Sequence, residues 1–293
     1  MKFIVTHLKA FKIKNWIKNL LILVPLFTAH KLFDPMYYPK AFIAILSLSF
    51  IATTGYLIND IFDLEADKSH PLKNKRPLVT GAFSKVQAYI WAFIFFIAAL
   101  YLALEVSVLY LGLILLYFIL SFIYSAFLKK KLLIDVLFLT GLHLFRLAVG
   151  FIIFNLDFSH WFLMFSMFFF LSLAFLKRAL ELSFLTEHGE KLVRRNYYFQ
   201  DREFISLFGC ISGFLSILVL ALYIQSSRVQ QLYTQPQILW GLLPIFLYWI
   251  SRIWIMMFRH KKSADPVLWI FGDVSSYMVL LLSFILVALA TLI

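Results

Sequence analysis

The sequence predicts an all-α integral membrane protein, a bundle of nine transmembrane helices with a cytoplasmic N-terminus. Composition, run length and the placement of charge predict it. Hydrophobic residues fill 62% of the 293 positions and charged residues 14%, and the mean hydropathy is +0.88. Soluble domains run roughly half apolar and about a quarter charged, so lipid is the expected solvent for most of this surface. Apolar runs close to the length of a bilayer-crossing helix recur at nine places: 16–33, 41–61, 86–104, 107–127, 132–154, 161–180, 205–225, 237–257 and 270–293. Polar residues interrupt 16–33 and 237–257 the most. Helices follow, because backbone in lipid must satisfy its own hydrogen bonds and closed barrels lack such long continuous runs. The whole chain, 1–293, reads as one domain.

The net charge of +12 has two readings. Nucleic-acid binding concentrates positive charge as a patch on a soluble domain; here the cations alternate from loop to loop. With the N-terminus inside, Lys31, Lys40 and Arg228 fall outside, Arg146 lies within a span, and the rest of the 27 Lys and Arg face the cytoplasm. That is the positive-inside rule, giving an N-in, C-out topology with no call for a nucleic-acid partner. The single cysteine, Cys210, excludes a disulfide framework and a multi-cysteine metal site. The N-terminus lacks a long apolar core and a small-residue cleavage site, so no cleaved signal peptide is expected.

The segment "NDIFDLEADKSHPLKNKRPL", residues 59–78, stands apart. Asp60, Asp63, Glu65 and Asp67 come first, then Lys68, Lys73, Lys75 and Arg76. On a helix Asp60, Asp63 and Asp67 fall at about 0°, 300° and 340° and share one face, while Glu65 points away at about 140°. Three carboxylates on one stripe repel unless a cation lies among them, and Mg²⁺ bridging carboxylates to substrate phosphates is one answer. A solvated juxtamembrane helix with internal ion pairs fits the spacing as well. An EF-hand fails for want of its Gly and ligand spacing.

Further cations fall on the same side of the membrane. "LKKKLLID" carries Lys129, Lys130, Lys131 and Asp135, and "FLKRALEL" carries Lys177, Arg178 and Glu181. Asp135 and Arg146, eleven residues apart, fall within about 20° of each other on a helix. An arginine in mid-span faces a bundle interior or watery cavity and takes a partner. Arg146 is therefore either a structural lock on Asp135 or a backbone carbonyl, or part of an anion site. Carboxylates holding Mg²⁺ beside such cations form a diphosphate site. The aromatic-rich spans (Phe 34, Tyr 14, Trp 7) suit a long lipid but are equally membrane core. His7, His30, His70, His143, His160, His188 and His260 show no metal spacing and read as interfacial or packing residues.

With these residues in view, "NDIFDLEADKSHPLKNKRPLVTG" resembles the first aspartate-rich motif of the UbiA superfamily of intramembrane prenyltransferases. The resemblance extends over essentially the whole chain through "NWIKNLLILVPLF", "YSAFLKKKLLIDV", "FLKRALEL" and "YWISRIWIMMFRHKKSADPVLWIFGD". It implies a UbiA-type bundle and a Mg²⁺–diphosphate role for Asn59, Asp60, Asp63 and Asp67, with Lys73 and Arg76 as phosphate contacts. Aromatic prenyltransferases of the superfamily carry a second aspartate-rich motif after the sixth helix. Here Lys177, Arg178 and Glu181 stand in its place, followed by Arg194, Arg195, Tyr197 and Tyr198. Bases in place of carboxylates favour a second anion over a second Mg²⁺. The pattern is similar to the branch containing decaprenyl-phosphate phosphoribosyltransferase, whose members join phosphoribosyl diphosphate to a polyprenyl phosphate.

The resemblance thus implies a Mg²⁺-dependent membrane transferase. Its partners would be a polyprenyl lipid, a diphosphate-activated co-substrate and the surrounding membrane lipids, in a bacterial inner membrane with the site facing the cytoplasm. Some members are fused to a haloacid-dehalogenase-type phosphatase domain, so a separate phosphatase partner is a further expectation by analogy. Lys18, Asn19, Lys129, Lys130, Lys177 and Arg178 are candidates for the lipid and ribose phosphates, with Asp135, Arg146 and Glu181 orienting them. Lys191 to Arg202 reads as a cytoplasmic loop, either closing over the site or simply solvated. Two rivals remain: an aromatic or quinone-type prenyltransferase using polyprenyl diphosphate, and a transporter. The transporter reading lacks matching broken helices, and the acidic cluster lies at a span end, away from mid-membrane.

Overall fold

The computed structural model describes residues 2–68, 73–185, 190–192, 195–260 and 265–292. Their regular structure is helical throughout, apart from one isolated antiparallel bridge between Lys191 and Tyr198. Helix α1 (Lys2–Ala10) leads into a 3-10 helix (Ile13–Leu23) and the short α2 (Val24–Thr28). Helices α3 (Tyr38–Lys68), α4 (Lys85–Val106), α5 (Val108–Ala126) and α6 (Ile134–Ile153) follow, with a 3-10 turn (Leu128–Lys130) before α6. Then come α7 (His160–Leu182), α8 (Arg202–Ile224), α9 (Ser227–Leu232), α10 (Leu242–His260), α11 (Pro266–Ile270) and α12 (Val274–Leu292).

Eight stretches among the described residues are long and apolar enough to cross a bilayer, from Pro35–Lys68 to Val274–Leu292. They match eight of the nine predicted runs. The first run, 16–33, differs: it is the 3-10 helix continued by five residues of α2. The physical reason is local. Lys12 starts the 3-10 segment in the left-handed region (φ 51°), and Lys18 and Asn19 break the apolar run with side chains that need polar partners. A 3-10 segment of 11 residues exceeds the usual three or four, so tertiary contacts must sustain it.

The chain divides into two compact units, Met1–Phe158 with Val193–Asn196, and Ser159–Leu192 with Tyr197–Ile293. In the first, α3 and α4 pack through small residues: Ala88, Ala92, Ala99 and Ala103 are buried along α4, which lets backbones approach where lipid supplies no hydrophobic drive between helices. Hydroxyls complete the contact. Ser47 Oγ donates to the Ala99 carbonyl at 2.8 Å, Thr54 Oγ1 to the Ala92 carbonyl at 3.2 Å, and Tyr110 OH on α5 to the Ala44 carbonyl at 2.6 Å. Ser84 and Gln87 start α4 with a reciprocal capping box. The 3-10 helix lies hard against α6: a Cβ added at Gly150 would stand 2.3 Å from the Ile22 carbonyl oxygen. His7 packs edge-on against Phe11, Phe83 and Trp91, and His143 Nδ1 pairs with the Leu139 carbonyl at 2.8 Å. Both are packing residues, as expected; His70 and His188 lie outside the described residues.

In the second unit, α7, α8 and α10 meet at Gly209 and Gly213, against which the Trp254 ring and Ile250 lie. Trp254 Nε1 donates to Ser172 Oγ at 3.0 Å. Arg252 grips Asp273 through two bonds of 2.6 and 3.0 Å, while Asp273 Oδ2 accepts from the Ser276 backbone at the start of α12. Burial pushes the Asp273 carboxyl up, but Arg252 and the Ser276 donors together outweigh it and hold the group below the usual carboxylate range.

The Gly150 contact is checked by substitution. Gly150→Ala forces the 3-10 helix away from α6 and lowers the unfolding temperature of the detergent-purified protein. Gly141→Ala, where a Cβ meets nothing within 4 Å, leaves it unchanged or raised, since Gly costs a helix about 0.5–1 kcal/mol relative to Ala.

Candidate active site

The acidic segment continues α3 beyond its apolar run, so Asn59, Asp60, Asp63 and Asp67 all lie on one helix. Glu65 points outward and pairs with Lys68 at 2.9 Å. The inward oxygens converge in two pairs. Lys129 Nζ stands 2.8 Å from Asn59 Oδ1 and 2.8 Å from Asp63 Oδ1. Arg76 Nη1 stands 2.7 Å from Asp60 Oδ1 and 2.5 Å from Asp67 Oδ2. Lys12 Nζ adds a second cation to Asp60 Oδ1 at 2.7 Å, with the Tyr56 ring 5.4 Å below it. Lys73 is close enough for its charge to be felt at Asp67. Asp60, Asp67 and Lys129 are buried, so these are charge-assisted bonds in a low-dielectric setting. Burial pushes the Lys12 ammonium below its ordinary value, and the facing Asp60 offsets part of that.

A polar ladder runs from this cluster between the 3-10 helix and α3. Its rungs are Lys12–Asp60, Trp16 Nε1 to Thr53 Oγ1 at 2.9 Å, and Asn19 Nδ2 to Ser49 Oγ at 3.0 Å. Asn19 Oδ1 then accepts from Arg146 Nε at 3.0 Å. With a rise near 2 Å per residue in a 3-10 helix, the seven steps from Lys12 to Asn19 separate the Asp60 and Arg146 rungs by about 14 Å along that helix. Arg146 is 3% exposed; its Nη1 donates to the Leu142 carbonyl at 2.8 Å, and its Nη2 donates to Tyr117 OH, whose ring it overlies. All of these partners are neutral. Asp135, fully buried, pairs instead with Arg195 at 3.1 Å, and Arg195 also reaches Tyr124 OH at 3.4 Å. The Asp135–Arg146 lock weighed from their helical spacing is therefore not formed. Asp135 begins α6, where the Arg195 side chain meets it.

The remaining expected residues divide by location. Lys18 is buried on the 3-10 helix and Lys130 is exposed on its turn. Lys177, Arg178 and Glu181 belong to the second unit. There Lys177 pairs with Asp265 at 3.3 Å, and the fully buried Arg178 pairs with Glu181 and stacks over the Tyr197 ring. Breaking a buried pair of that kind costs about 3–5 kcal/mol. Arg194 and the stretch 69–72 lie outside the described residues. Sequence reasoning missed Lys12, Trp16, Ser49, Thr53, Tyr117 and Tyr124; Lys12 was one of several N-terminal bases with nothing to mark it.

The oxygen donors fit a hard cation such as Mg²⁺, which takes oxygen ligands and fills its shell with waters and substrate phosphates. Each convergence point offers two protein oxygens, and among the described residues no group of three or more His, Cys, Asp or Glu stands together for a metal. Two ligands per ion with phosphate completing the shell is the arrangement these pairs allow.

Comparison with known proteins identifies the family. The UbiA prenyltransferase family matches residues 20–187, more than half of the chain. The chain belongs to the UbiA prenyltransferase family, and with it to the transferases. It is 29% identical over 274 residues to the uncharacterized protein y4nM of Sinorhizobium fredii, covering 93% of this chain and 53% of that protein. It is 28% identical to the nodulation protein NoeC of Azorhizobium caulinodans, covering 94% and 90%. The decaprenyl-phosphate phosphoribosyltransferase of Mycolicibacterium smegmatis is 30% identical over 63% of this chain and 59% of its own length. The chain thus spans little more than half of two of these relatives. A solved UbiA homolog from Archaeoglobus fulgidus, bound to GPP and Mg²⁺, shares the fold at 15% identity, with a TM-score of 0.69 over 97% of this chain and 99% of that one.

Asn19 bridges Ser49 and Arg146, so Asn19→Ala leaves a buried guanidinium N–H and a hydroxyl short of a partner. The expected loss is about 1–3 kcal/mol, read as a lower unfolding temperature of the purified protein.

Proposed function

We propose that this protein is a Mg²⁺-dependent transferase that joins phosphoribosyl diphosphate to a polyprenyl phosphate and releases diphosphate. The observation that carries the reading is the excess of cation over carboxylate in the first unit. Lys12, Lys18, Lys73, Arg76, Lys129, Arg146 and Arg195 accompany Asp60, Asp63, Asp67 and Asp135. The hydrogen-bond partners of Arg146 are all neutral. Two phosphate-bearing substrates match such an excess better than one. The phosphoribosyltransferase relatives support the same chemistry.

Asn59, Asp60, Asp63 and Asp67 would hold the metal, which supplies positive charge to the leaving diphosphate. Arg76, Lys73 and Lys12 stand where they can neutralise the same group as the bond from the anomeric carbon to diphosphate oxygen breaks. The electron pair leaves with the diphosphate, and an oxygen of the lipid phosphate forms the new bond to that carbon. The nucleophile is already an anion, so no general base is needed. Arg146 and Lys18 are the candidate contacts for the lipid phosphate. The positive charge in the alternating loops that carry Lys68 to Lys85, Lys129 to Lys131 and Lys191 to Arg202 supports a site on the cytoplasmic face of a bacterial membrane with the N-terminus inside. A ninth crossing by the 16–33 stretch belongs to the same proposal.

A second reading has its own observation: the Archaeoglobus homolog of the same fold binds GPP and Mg²⁺. Transfer of a prenyl group from polyprenyl diphosphate would use the same acidic face.

The test is label transfer in detergent with polyprenyl phosphate, labelled phosphoribosyl diphosphate and Mg²⁺. Label enters the lipid phase, and EDTA or Asp63→Ala reduces it by at least about a hundredfold, the scale of losing one electrostatic element of a site. No transfer, with prenyl diphosphate consumed onto an acceptor instead, moves the protein to the second reading.

A further inference from the structure

The two convergence points on α3 are each held by a cation of the protein itself. Lys129 is 4% exposed and is carried on the 3-10 turn Leu128–Lys130, on which the next lysine, Lys130, stays exposed. Its ammonium touches an amide oxygen and a carboxylate oxygen at the same 2.8 Å. Arg76 bridges two carboxylates through a single nitrogen, Nη1. A bidentate guanidinium–carboxylate fork would use two nitrogens on one partner; here one N–H corner spans two acids about two turns apart on α3. Each cation occupies the point to which two oxygens aim.

We propose that Lys129 and Arg76 are exchangeable counter-ions that bar a divalent cation from the carboxylates until a diphosphate arrives. A metal that took Asn59 and Asp63, or Asp60 and Asp67, would have to displace the resident cation from the same oxygens. A displaced, buried ammonium or guanidinium is unfavourable without a new anion. Diphosphate supplies it, and also the oxygens that a two-ligand metal lacks. Metal and diphosphate therefore bind with positive coupling, and the coupling resides in Lys129 and Arg76. The bare acidic face is kept neutral between turnovers, and the two cations pass from carboxylate to phosphate as substrate enters. This inference rests on the site taking metal and diphosphate and is indifferent to which group is transferred.

The experiment measures Mn²⁺ binding to the detergent-purified full chain by electron paramagnetic resonance of free Mn²⁺, with no substrate present. Lys129→Met removes the competitor and leaves both oxygens, so Mn²⁺ binds about tenfold more tightly than to wild type, the factor expected when a closed state favoured about ten to one is abolished. Lys131→Met, an exposed charge two residues away, changes binding less than about twofold, a loss of screened surface attraction only. Asp63→Asn added to Lys129→Met cancels the gain. At free Mn²⁺ held constant by a metal buffer, retention of labelled diphosphate falls in Lys129→Met, opposite in sign to the metal effect. Arg76→Gln repeats the test at Asp60 and Asp67 should Lys129→Met fail to fold. Mn²⁺ affinity unchanged or weakened in a folded variant overturns the proposal, as does a gain equal to that of Lys131→Met. An inactive transferase assay with the Mn²⁺ pattern intact refutes the phosphoribosyl reading alone.

Discussion

Three carboxylates at the end of an apolar helix are the constraint from which the first unit is built. Asp60, Asp63 and Asp67 share one face of α3 because they are spaced three and four residues apart, and two of them are buried. Uncompensated, such charges would be neutralised or would break the helix end. Cations reach them from three other places in the chain: Lys12 before the 3-10 helix, Arg76 in the loop after α3, and Lys129 in the turn after α5. Each pairing ties a connecting segment to α3. The site's electrostatics and the packing of its connecting segments are thus one problem with one solution.

The 3-10 helix shows the same economy. Its hydrogen-bond geometry is poorer than that of an α-helix, and runs of its length are uncommon. Three side-chain rungs to α3 and the close seat of Gly150 on Ile22 hold it. Lys12, immediately before it, bonds to Asp60, and Asn19, seven residues further on, to Arg146. The segment therefore links the acidic face to a buried arginine with no carboxylate partner, about 14 Å away along the 3-10 helix. Lys12, in the left-handed region, stands beside a buried carboxylate, strain of the kind that accompanies functional sites.

Much of the fold was legible in the sequence because hydrocarbon imposes a length and a hydropathy that a helix must satisfy. Eight of the nine predicted runs are helices of membrane length, with ends shifted by a few residues. The 16–33 run is a 3-10 helix followed by a short α-helix, a distinction the sequence could not show because hydropathy records apolarity and carries no information about helical pitch. The acidic face was legible from helical spacing. Its cation partners were not: Lys12 meets Asp60 across 48 residues and Arg146 meets Asn19 across 127, and no local period encodes contacts that distant. The helical phase of Asp135 and Arg146 was read correctly, yet it could not show that Arg195 would take the acid.

The two units use charge differently, and that contrast bears on chemistry. In the second unit Arg178 is fully buried against Glu181 and the Tyr197 ring, Arg252 is locked on Asp273 in a bidentate fork, and Lys177 meets Asp265. Each of these cations has a carboxylate of its own. In the first unit Arg76 shares two acids, Asp60 shares two bases, and Arg146 has neutral partners alone. In such direct buried pairs, moving either partner strands a charge. Shared and unmatched charges can be redistributed when an anion enters, because each ion retains a second partner or gains a first. The proposed group transfer with a departing diphosphate would need charge that can be reassigned between ground and transition states, and the shared charges around α3 are of that kind.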